Sequence, residues 1–282
     1  MSPDHEFSSD WLSRREPADH AARSEALLEP LIAALPASNP LNVIDLGAGH
    51  GSNLRWLAPR LQRPQHWRLI DRDPRLLRAA REHARRDPPA RILEIETIEA
   101  NLARSDFPWL MDAALVTASA WFDLVSADWI EHLAEACAAA RIAGLFALSV
   151  DGRWRFVDAR GDLDQDSDDA FVRSSFNAHQ RRDKGLGAAL GAQAAEALPR
   201  ILTAHGFSVT TRTSDWVLPA GSASTRALGG MLLDGWRQAA DEQRPDQSDR
   251  IRHWHERRRA RLDLGQLGLE VGHVDVLALP VA

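Results

Sequence analysis

The residues most able to do chemistry are an acid and three glycines at alternate positions, Asp45, Gly47, Gly49 and Gly51. They follow an apolar run and precede apolar residues at helical spacing, so the pattern predicts a buried strand, a turn and a helix. Gly47 permits the backbone angles of a tight turn, and Gly49 lets a ligand approach the main chain. Gly51 permits close helix–strand packing.

An acid at the end of the next apolar run extends this pattern. Asp71 lies twenty residues after Gly51 and directly follows the apolar run at residues 67–70. At this spacing, an acid on the adjacent parallel strand reaches a ribose diol. The helix after the turn is expected to be capped by Ser52 or Asn53, and its first N–H groups favour an anionic group.

Position 52 distinguishes between cofactors. A dinucleotide fingerprint has glycine at this position, whereas this chain has Ser52. The pattern Asp-x-Gly-x-Gly-x-Gly resembles motif I of class I S-adenosylmethionine-dependent methyltransferases. The resemblance continues at Asp71 and at residues 100–102. One departure is Asn101, where the family often has aspartate. The resemblance implies S-adenosylmethionine as cofactor, with contacts from Asp45, Gly47, Gly49, Gly51, Asn53, Asp71, Arg72, Asn101, Leu102 and Ser119.

The segment before the first strand supplies another cofactor candidate. Its arginines at positions 14 and 15 are followed by Glu16 and Asp19. In the fold that the resemblance implies, this leading segment often covers the cofactor pocket, so Arg15 is expected to pair with the methionine carboxylate. A surface ion-pair network is an equally good interpretation of the same residues.

Two regions after predicted strands are candidates for the acceptor side. Histidine exchanges protons near neutral pH, so His179 is the preferred base and Asp128 the second choice. The expected substrate-binding residues are Trp121, His132, Asn177 and Gln180. Core packing of Trp121 and a solvated helix end at residues 176–185 are the competing interpretations.

No metal site is expected. The acidic run at residues 162–169 resembles a calcium loop, but Ser167 and Arg173 stand where glycine and glutamate are required. It is therefore interpreted as a solvated loop. His253 and His255 are two residues apart and would point to different faces of a basic helix. That helix is interpreted as a solvated or interdomain packing face, with contact to a substrate anion as the alternative. The single cysteine, Cys137, is expected to be a buried inert thiol.

Composition indicates a soluble globular protein. The chain has 282 residues, 44% hydrophobic and 26% charged, with a net charge of −6. This acidic balance predicts no nucleic-acid partner. Residues 1–10 lack a signal-peptide core, and Arg141 interrupts the most apolar window, residues 134–150, so a cytoplasmic protein without membrane association is expected. We expect a monomer or homodimer.

Alternating strands and helices predict how these residues are positioned. Helices at 10–35 are expected to be interrupted at Pro17 and Pro30, followed by strands at 41–44, 67–71, 91–99, 113–119 and 144–150. Later elements are helices at 188–204, 222–243 and 251–262, and strands at 207–217 and 269–279. The result is one domain with a doubly wound, mostly parallel seven-stranded sheet, N-terminal helices and a helical insertion after strand five. It comprises an N-terminal helical cap (1–40), a cofactor-binding core (41–150) and a substrate-side insertion with the last strands (151–282).

The predicted function is methyl transfer from S-adenosylmethionine to an N, O or C atom of a small organic acceptor. A hydroxyl acceptor would need a general base, whereas a neutral amine needs none. A peptide or protein methyltransferase and a cofactor-binding protein without catalysis are the alternatives. Ser52 disfavours an NAD-dependent oxidoreductase, and the chain lacks the Asn/Asp-Pro-Pro-Tyr/Phe motif of many nucleic-acid amino methyltransferases.

Overall fold

The computed structural model describes residues 8–88, 90–104, 106–183 and 187–281. The helices are α1 (Ser9–Ala22), α2 (Leu28–Ala34), α3 (Ser52–Leu61), α4 (Pro74–Arg86), α5 (Ala127–Ala139), α6 (Asp169–Gln180), α7 (Ala194–Ala204), α8 (Ala223–Gln243) and α9 (Ser248–Asp263). The strands are β1 (Leu41–Leu46), β2 (Gln65–Asp71), β3 (Ile92–Glu99), β4 (Leu115–Ser119), β5 (Ala143–Val157), β6 (Leu163–Asp164), β7 (Phe207–Thr213), β8 (Trp216–Leu218) and β9 (Gly268–Pro280).

The main sheet has the order β3-β2-β1-β4-β5-β9-β7, with β6 beside β5 and β8 beside β9. Strands β1 to β5 pair in parallel, whereas β9 is antiparallel to both β5 and β7. This confirms the mostly parallel, doubly wound fold. The chain order reverses between β1 and β4, and a ligand crevice is expected at the carboxyl ends of these two strands.

Apolar side chains cover both faces of the sheet. One cluster joins α5 and α7 to the sheet, and a second joins α2, α3 and α4 to its other face. A third cluster lies between the C-terminal part of β5 and helices α8 and α9. Cys137 is buried in the first cluster, as expected, and burial raises its pKa to about 12.

Several element boundaries differ from the predictions. Helix α1 passes through Pro17 without a break. Proline has no N–H, so the carbonyl of Ser13, four residues earlier, lacks its helical hydrogen-bond donor. Pro17 and Ser13 are both exposed, so water can solvate that carbonyl. Strand β5 continues to Val157, and the strand expected at 207–217 is divided into β7 and β8. The helix expected from residue 188 begins at Ala194, after a 3₁₀ turn over Gly191–Gln193.

The polar connection after strand five is a helix. Its buried residues Val172, Ser175 and His179 recur at helical spacing along α6. This spacing agrees with the helical insertion that is predicted after strand five.

Within the described residues, no helix is both long and apolar enough to cross a membrane.

Candidate functional site

The glycine turn connects β1 to α3 as its sequence predicts. Gly47, Gly49 and Gly51 have φ values of +62°, +53° and +83°, which L-residues rarely adopt. A Cβ atom on Gly47 would overlap the ring of Trp121, and one on Gly51 would lie 3.2 Å from the Cβ of Ala80 in α4. The turn therefore needs glycine for its conformation and, at positions 47 and 51, for packing. The neighbour of Gly51 is a helix and not the predicted strand.

The predicted helix cap was wrong. Gly51 occupies the N-cap position of α3 and makes no side-chain capping bond. Ser52 Oγ instead lies 3.1 Å from Nε2 of His20 in α1. Asn53 points towards the sheet, because its amide donates to Asp45 at 2.6 Å and to Thr117 at 3.0 Å.

Asp45 lies buried beneath the turn, and one of its carboxylate oxygens accepts no hydrogen bond from the described residues. Its Oδ1 accepts the bond from Asn53, but its Oδ2 has no hydrogen-bond partner among the residues that the structure describes. Burial raises the pKa of Asp45 to about 7, although the Asn53 hydrogen bond and the charge of Arg23 oppose the shift. A buried acceptor without a partner on a cavity wall fits a cationic or hydrogen-bond-donating ligand group.

Sequence reasoning missed Arg23. This buried side chain donates to Asn53 at 2.8 Å, lies 3.6 Å from the carboxylate of Asp275 in β9, and stacks over the ring of Trp56. Burial lowers its pKa, and the charge of Asp275 opposes that shift. Arg23 directly follows α1, and nothing in its local sequence indicates burial.

Asp71 joins the turn to the end of β2. Its Oδ2 accepts from the amide of Gly49 at 2.8 Å, and its Oδ1 accepts from the amide of Asp73 at 2.9 Å. Burial raises the pKa of Asp71, whereas these two hydrogen bonds act to lower it. Arg72, the next residue, also lines the cavity.

The loop after β3 forms a further wall. Asn101 Oδ1 accepts from the amide of Ala103 at 3.0 Å, and this bond fixes the start of a short 3₁₀ turn. Leu102 is buried beside it, and its carbonyl accepts from Nε1 of Trp129 at 2.9 Å. Both residues line the cavity.

Helix α1 covers the glycine turn. The nearest atom to a Cβ built on Gly49 would be Cδ1 of Leu12, 3.5 Å away. Arg15 donates to both carboxylate oxygens of Asp19, at 2.9 and 3.1 Å, and lies between the rings of Trp11 and Trp216. Arg15 is thus both an ion-pair member and a cavity residue.

One continuous cavity of about 680 Å³ brings most of the predicted residues together. The predicted residues on its wall are Arg15, Asp45, Gly47, Gly49, Asn53, Asp71, Arg72, Asn101, Leu102, Ser119, Trp121, Asn177, His179 and Gln180. Gly51 is not on the wall and acts through the backbone turn. The cavity extends from the glycine turn past Trp121 to α6 and α8.

The structure does not bring Asp128 and His132 to this cavity. Both are exposed on α5, one helical turn apart, whereas Trp129, Ile130 and Leu133 form the buried face of that helix. Their assignment to the acceptor site was wrong, because side chains four residues apart share one helix face and this one faces solvent.

His179 is paired with a carboxylate from another helix. Its Nε2 lies 2.9 Å from Oε2 of Glu242 in α8. Burial acts to raise the pKa of Glu242, but the hydrogen bonds from His179 and Gln238 outweigh it and lower the pKa. A carboxylate accepts, so Nε2 carries the proton and Nδ1 is the basic nitrogen of the neutral ring. Nearby, the amide of Asn177 donates to the carbonyl of Gly152 at 3.0 Å.

The acidic run is a partner of the basic helix, so the prediction of a solvated loop was wrong. Arg258 is buried and donates to Asp164 at 2.7 Å and to Asp169. Arg257 pairs with Asp166, and this bond lowers the pKa of that carboxyl. No cluster of possible metal ligands occurs in the part of the chain that the structure describes.

Comparison with known proteins identifies the region around the glycine turn. A family model described as a methyltransferase domain matches residues 43–144, the segment from β1 to the start of β5. These residues form a class I S-adenosylmethionine-dependent methyltransferase domain. The family resemblance and its cofactor, S-adenosylmethionine, are thereby confirmed.

Two solved structures are similar to this chain. The cyclopropane synthase MmaA2 from Mycobacterium tuberculosis is 12% identical, covers 98% of this chain and 96% of its own, and has a TM-score of 0.50. The YcgJ protein from Bacillus subtilis is also 12% identical, with 92% and 100% coverage and a TM-score of 0.49. The first likeness shows a common fold. No curated protein matches the chain.

Proposed function

We propose that this protein transfers the methyl group of S-adenosylmethionine to a small organic acceptor bound beside it. The observation that carries this proposal is the continuous cavity, which joins the glycine turn and Asp71 to the side chains of α6. A methyltransferase must hold donor and acceptor together, because alignment of the two supplies much of the rate.

The first half of the cavity suits the cofactor. Asp71 would accept from the ribose hydroxyls, and Asn101 and Leu102 would contact the adenine. The unpartnered Oδ2 of Asp45 would receive the ammonium group of the methionine part, and Arg15 its carboxylate. Gly49 would leave room for the cofactor against the main chain.

In the second half of the cavity, where the acceptor would bind, His179 is the proposed general base. The bound cofactor supplies an electrophilic methyl group on a sulfonium sulfur. The methyl carbon would pass to a hydroxyl oxygen of the acceptor, and the electron pair of the broken carbon–sulfur bond would stay on sulfur. His179 would take the hydroxyl proton at Nδ1. Glu242 orients the ring and stabilises the positive charge that this proton brings.

Two measurements test the proposal. Isothermal titration should show binding of S-adenosylmethionine and S-adenosylhomocysteine but not of NAD. A screen for methyl incorporation into small hydroxyl and amine compounds should then identify acceptors. NAD binding without S-adenosylmethionine binding would refute the cofactor assignment, and tight cofactor binding without transfer to any small acceptor would favour a binding protein or a peptide methyltransferase.

A further inference from the structure

We infer that the acceptor of this enzyme is an uncharged, planar aromatic molecule that carries a hydrogen-bond acceptor such as a carbonyl group. The inference deepens the proposed function, on which its chemical meaning depends. It concerns the half of the cavity beyond the glycine turn, which we call the acceptor chamber. Its wall includes Trp11, Trp154, Phe176, Trp216 and Trp236.

The aromatic rings come from five separate elements, α1, β5, α6, β8 and α8. Trp154 and Trp236 stack with ring centroids 4.3 Å apart, and Phe176 meets Trp236 edge to face at 6.3 Å. Trp216 lies 5.0 Å from the ring of His273, which also lines the chamber. Aromatic walls of this kind favour a flat ligand, because edge-to-face contacts with rings whose faces are already occupied add to simple apolar burial.

Charged side chains of the chamber are already neutralised. Arg153 pairs with Asp151 and Asp215, and Arg15, which also pairs with Asp19, is assigned to the carboxylate of the cofactor. Burial, assisted by the charge of Arg15, lowers the pKa of His273 to about 3, so this histidine is neutral. A charged acceptor would lose its hydration here without gaining a counter-ion, which is unfavourable.

Aromatic chambers also bind organic cations, but the ring contacts argue against this alternative. The guanidinium of Arg15 lies over both Trp11 and Trp216, at 5.7 and 5.1 Å, and that of Arg173 lies 5.6 Å from Trp154. Faces of three of the five rings thus already carry a cation. A second cation would be repelled by the first.

An unpartnered indole N–H in a residue that lines the chamber indicates the polar group of the ligand. Trp154 is 3% exposed, and its Nε1 has no hydrogen-bond partner among the described residues. A buried donor without a partner is unfavourable, so a ligand that accepts its proton gains affinity. Arg173 donates to the carbonyl of Trp154 at 2.9 Å and helps to fix this residue.

The inference is tested by measuring the binding of small probes, each with a single six-membered ring. This test does not depend on methyl transfer. The probes are 4-hydroxyacetophenone, 4-ethylphenol, 4-hydroxybenzoate, tyramine and the saturated 4-acetylcyclohexanol. Their affinities are measured by ligand-observed NMR, with and without S-adenosylhomocysteine. We expect 4-hydroxyacetophenone to bind at least about tenfold more tightly than the saturated, anionic and cationic probes, and about two- to tenfold more tightly than 4-ethylphenol, the scale of one hydrogen bond.

Variants assign the preference to the chamber. Phe176→Leu should reduce the preference for the aromatic over the saturated probe, whereas Phe171→Leu should not. Both residues are half-buried on α6, but Phe171 contacts Arg244 and Arg250 and does not line the cavity. Trp154→Phe keeps a ring without the N–H and should abolish the preference for 4-hydroxyacetophenone over 4-ethylphenol.

Three results would overturn the inference: equal binding of the saturated probe, preference for a charged probe, or no detectable binding of any probe at millimolar concentration. If S-adenosylhomocysteine binds in a separate titration while the probes fail, only the acceptor class is wrong. If the probes bind as expected but S-adenosylhomocysteine does not, the chamber assignment stands and the proposed function fails.

Discussion

The carboxylate of Asp71 and the amide of Gly49 are joined by a 2.8 Å hydrogen bond. The acid at the end of β2 therefore holds the glycine turn as well as facing the cavity. Loss of this carboxylate would affect a ligand in two ways, by removing acceptors for its hydroxyl groups and by releasing the backbone on which it lies.

Asp71→Ala is expected to weaken binding of S-adenosylmethionine by about ten- to over a hundredfold, because hydrogen bonds to a charged group contribute about 1.5–3 kcal/mol. Isothermal titration of the folded variant measures the change. Glu99→Ala is the matched control: Glu99 pairs with Asp71 in the register of β2 and β3 but does not line the cavity. Equal affinity in Asp71→Ala and wild type would refute the proposed ribose contact.

Gly49→Val is expected to abolish cofactor binding, because the new side chain would fill the space where the ligand meets the main chain. A left-handed conformation costs an L-residue about 1–2 kcal/mol, so stability should also fall. Gly206→Val separates the two effects, since Gly206 has φ +83° and nothing within 4 Å of an added Cβ. Both variants should lose stability in urea unfolding, and only Gly49→Val should lose affinity. Normal binding by Gly49→Val would make this glycine purely structural.

Cofactor affinity should depend on pH through Asp45, whose pKa is raised to about 7. Only the ionised carboxylate attracts an ammonium group, so below pH 7 the protein must release a proton when it binds. We expect the affinity for S-adenosylhomocysteine to fall about fivefold from pH 7 to pH 6 and to level off above pH 8. Titrations across this range measure the profile. Asp45→Asn should bind more weakly with little dependence on pH between 6 and 8, and a flat wild-type profile would contradict the proposed contact.

His179→Ala is expected to lower turnover by about 10²–10³-fold while cofactor affinity stays nearly constant, as for a lost general base. His205→Ala is a matched control, because His205 pairs with Glu131 at 2.6 Å in the same way but does not line the cavity. Glu242→Gln should cause a smaller loss and should move the acidic limb of the pH–rate profile to lower pH, because the imidazolium loses its anionic partner. Wild-type turnover in His179→Ala would show that α6 is only scaffold.

Arg258→Ala should destabilise the protein by about 3–5 kcal/mol, since it leaves the carboxylates of Asp164 and Asp169 without their buried partner. Arg252→Ala, at an arginine on the same helix whose exposed side chain pairs with Asp249 and Glu256, should destabilise the protein far less. Urea unfolding compares the two variants. Equal small losses would mean that the acidic run does not depend on α9.

The sequence by itself determined the glycine turn and the order of the strands and helices around it. The glycine turn, Asp71 and the alternation of strands and helices are local features: φ preferences, apolar periodicity and a fixed spacing between adjacent parallel strands. Residues near Gly47 and Asp71 can therefore be assigned from residue types and spacing alone, and the fold follows from the order of the elements.

The orientation of helix faces limited what could be predicted about the candidate acceptor residues. Asp128 and His132 have suitable chemistry, but the buried face of α5 formed by Trp129, Ile130 and Leu133 turns them to solvent. The apolar spacing of α5 carried this information. A helical insertion after strand five is predicted from the sequence, but the burial of His179 on one face of α6 became clear only in the structure.

Only the tertiary structure decided the long-range pairs. His179 and Glu242 are 63 residues apart, and Arg258 and Asp169 are 89 residues apart. Each pair depends on how two amphipathic elements pack against each other, and the spacing within either element does not specify its partner. Arg23 shows the same limit: an arginine at a helix end is ordinarily exposed, and this one is buried because β9 brings Asp275 beside it.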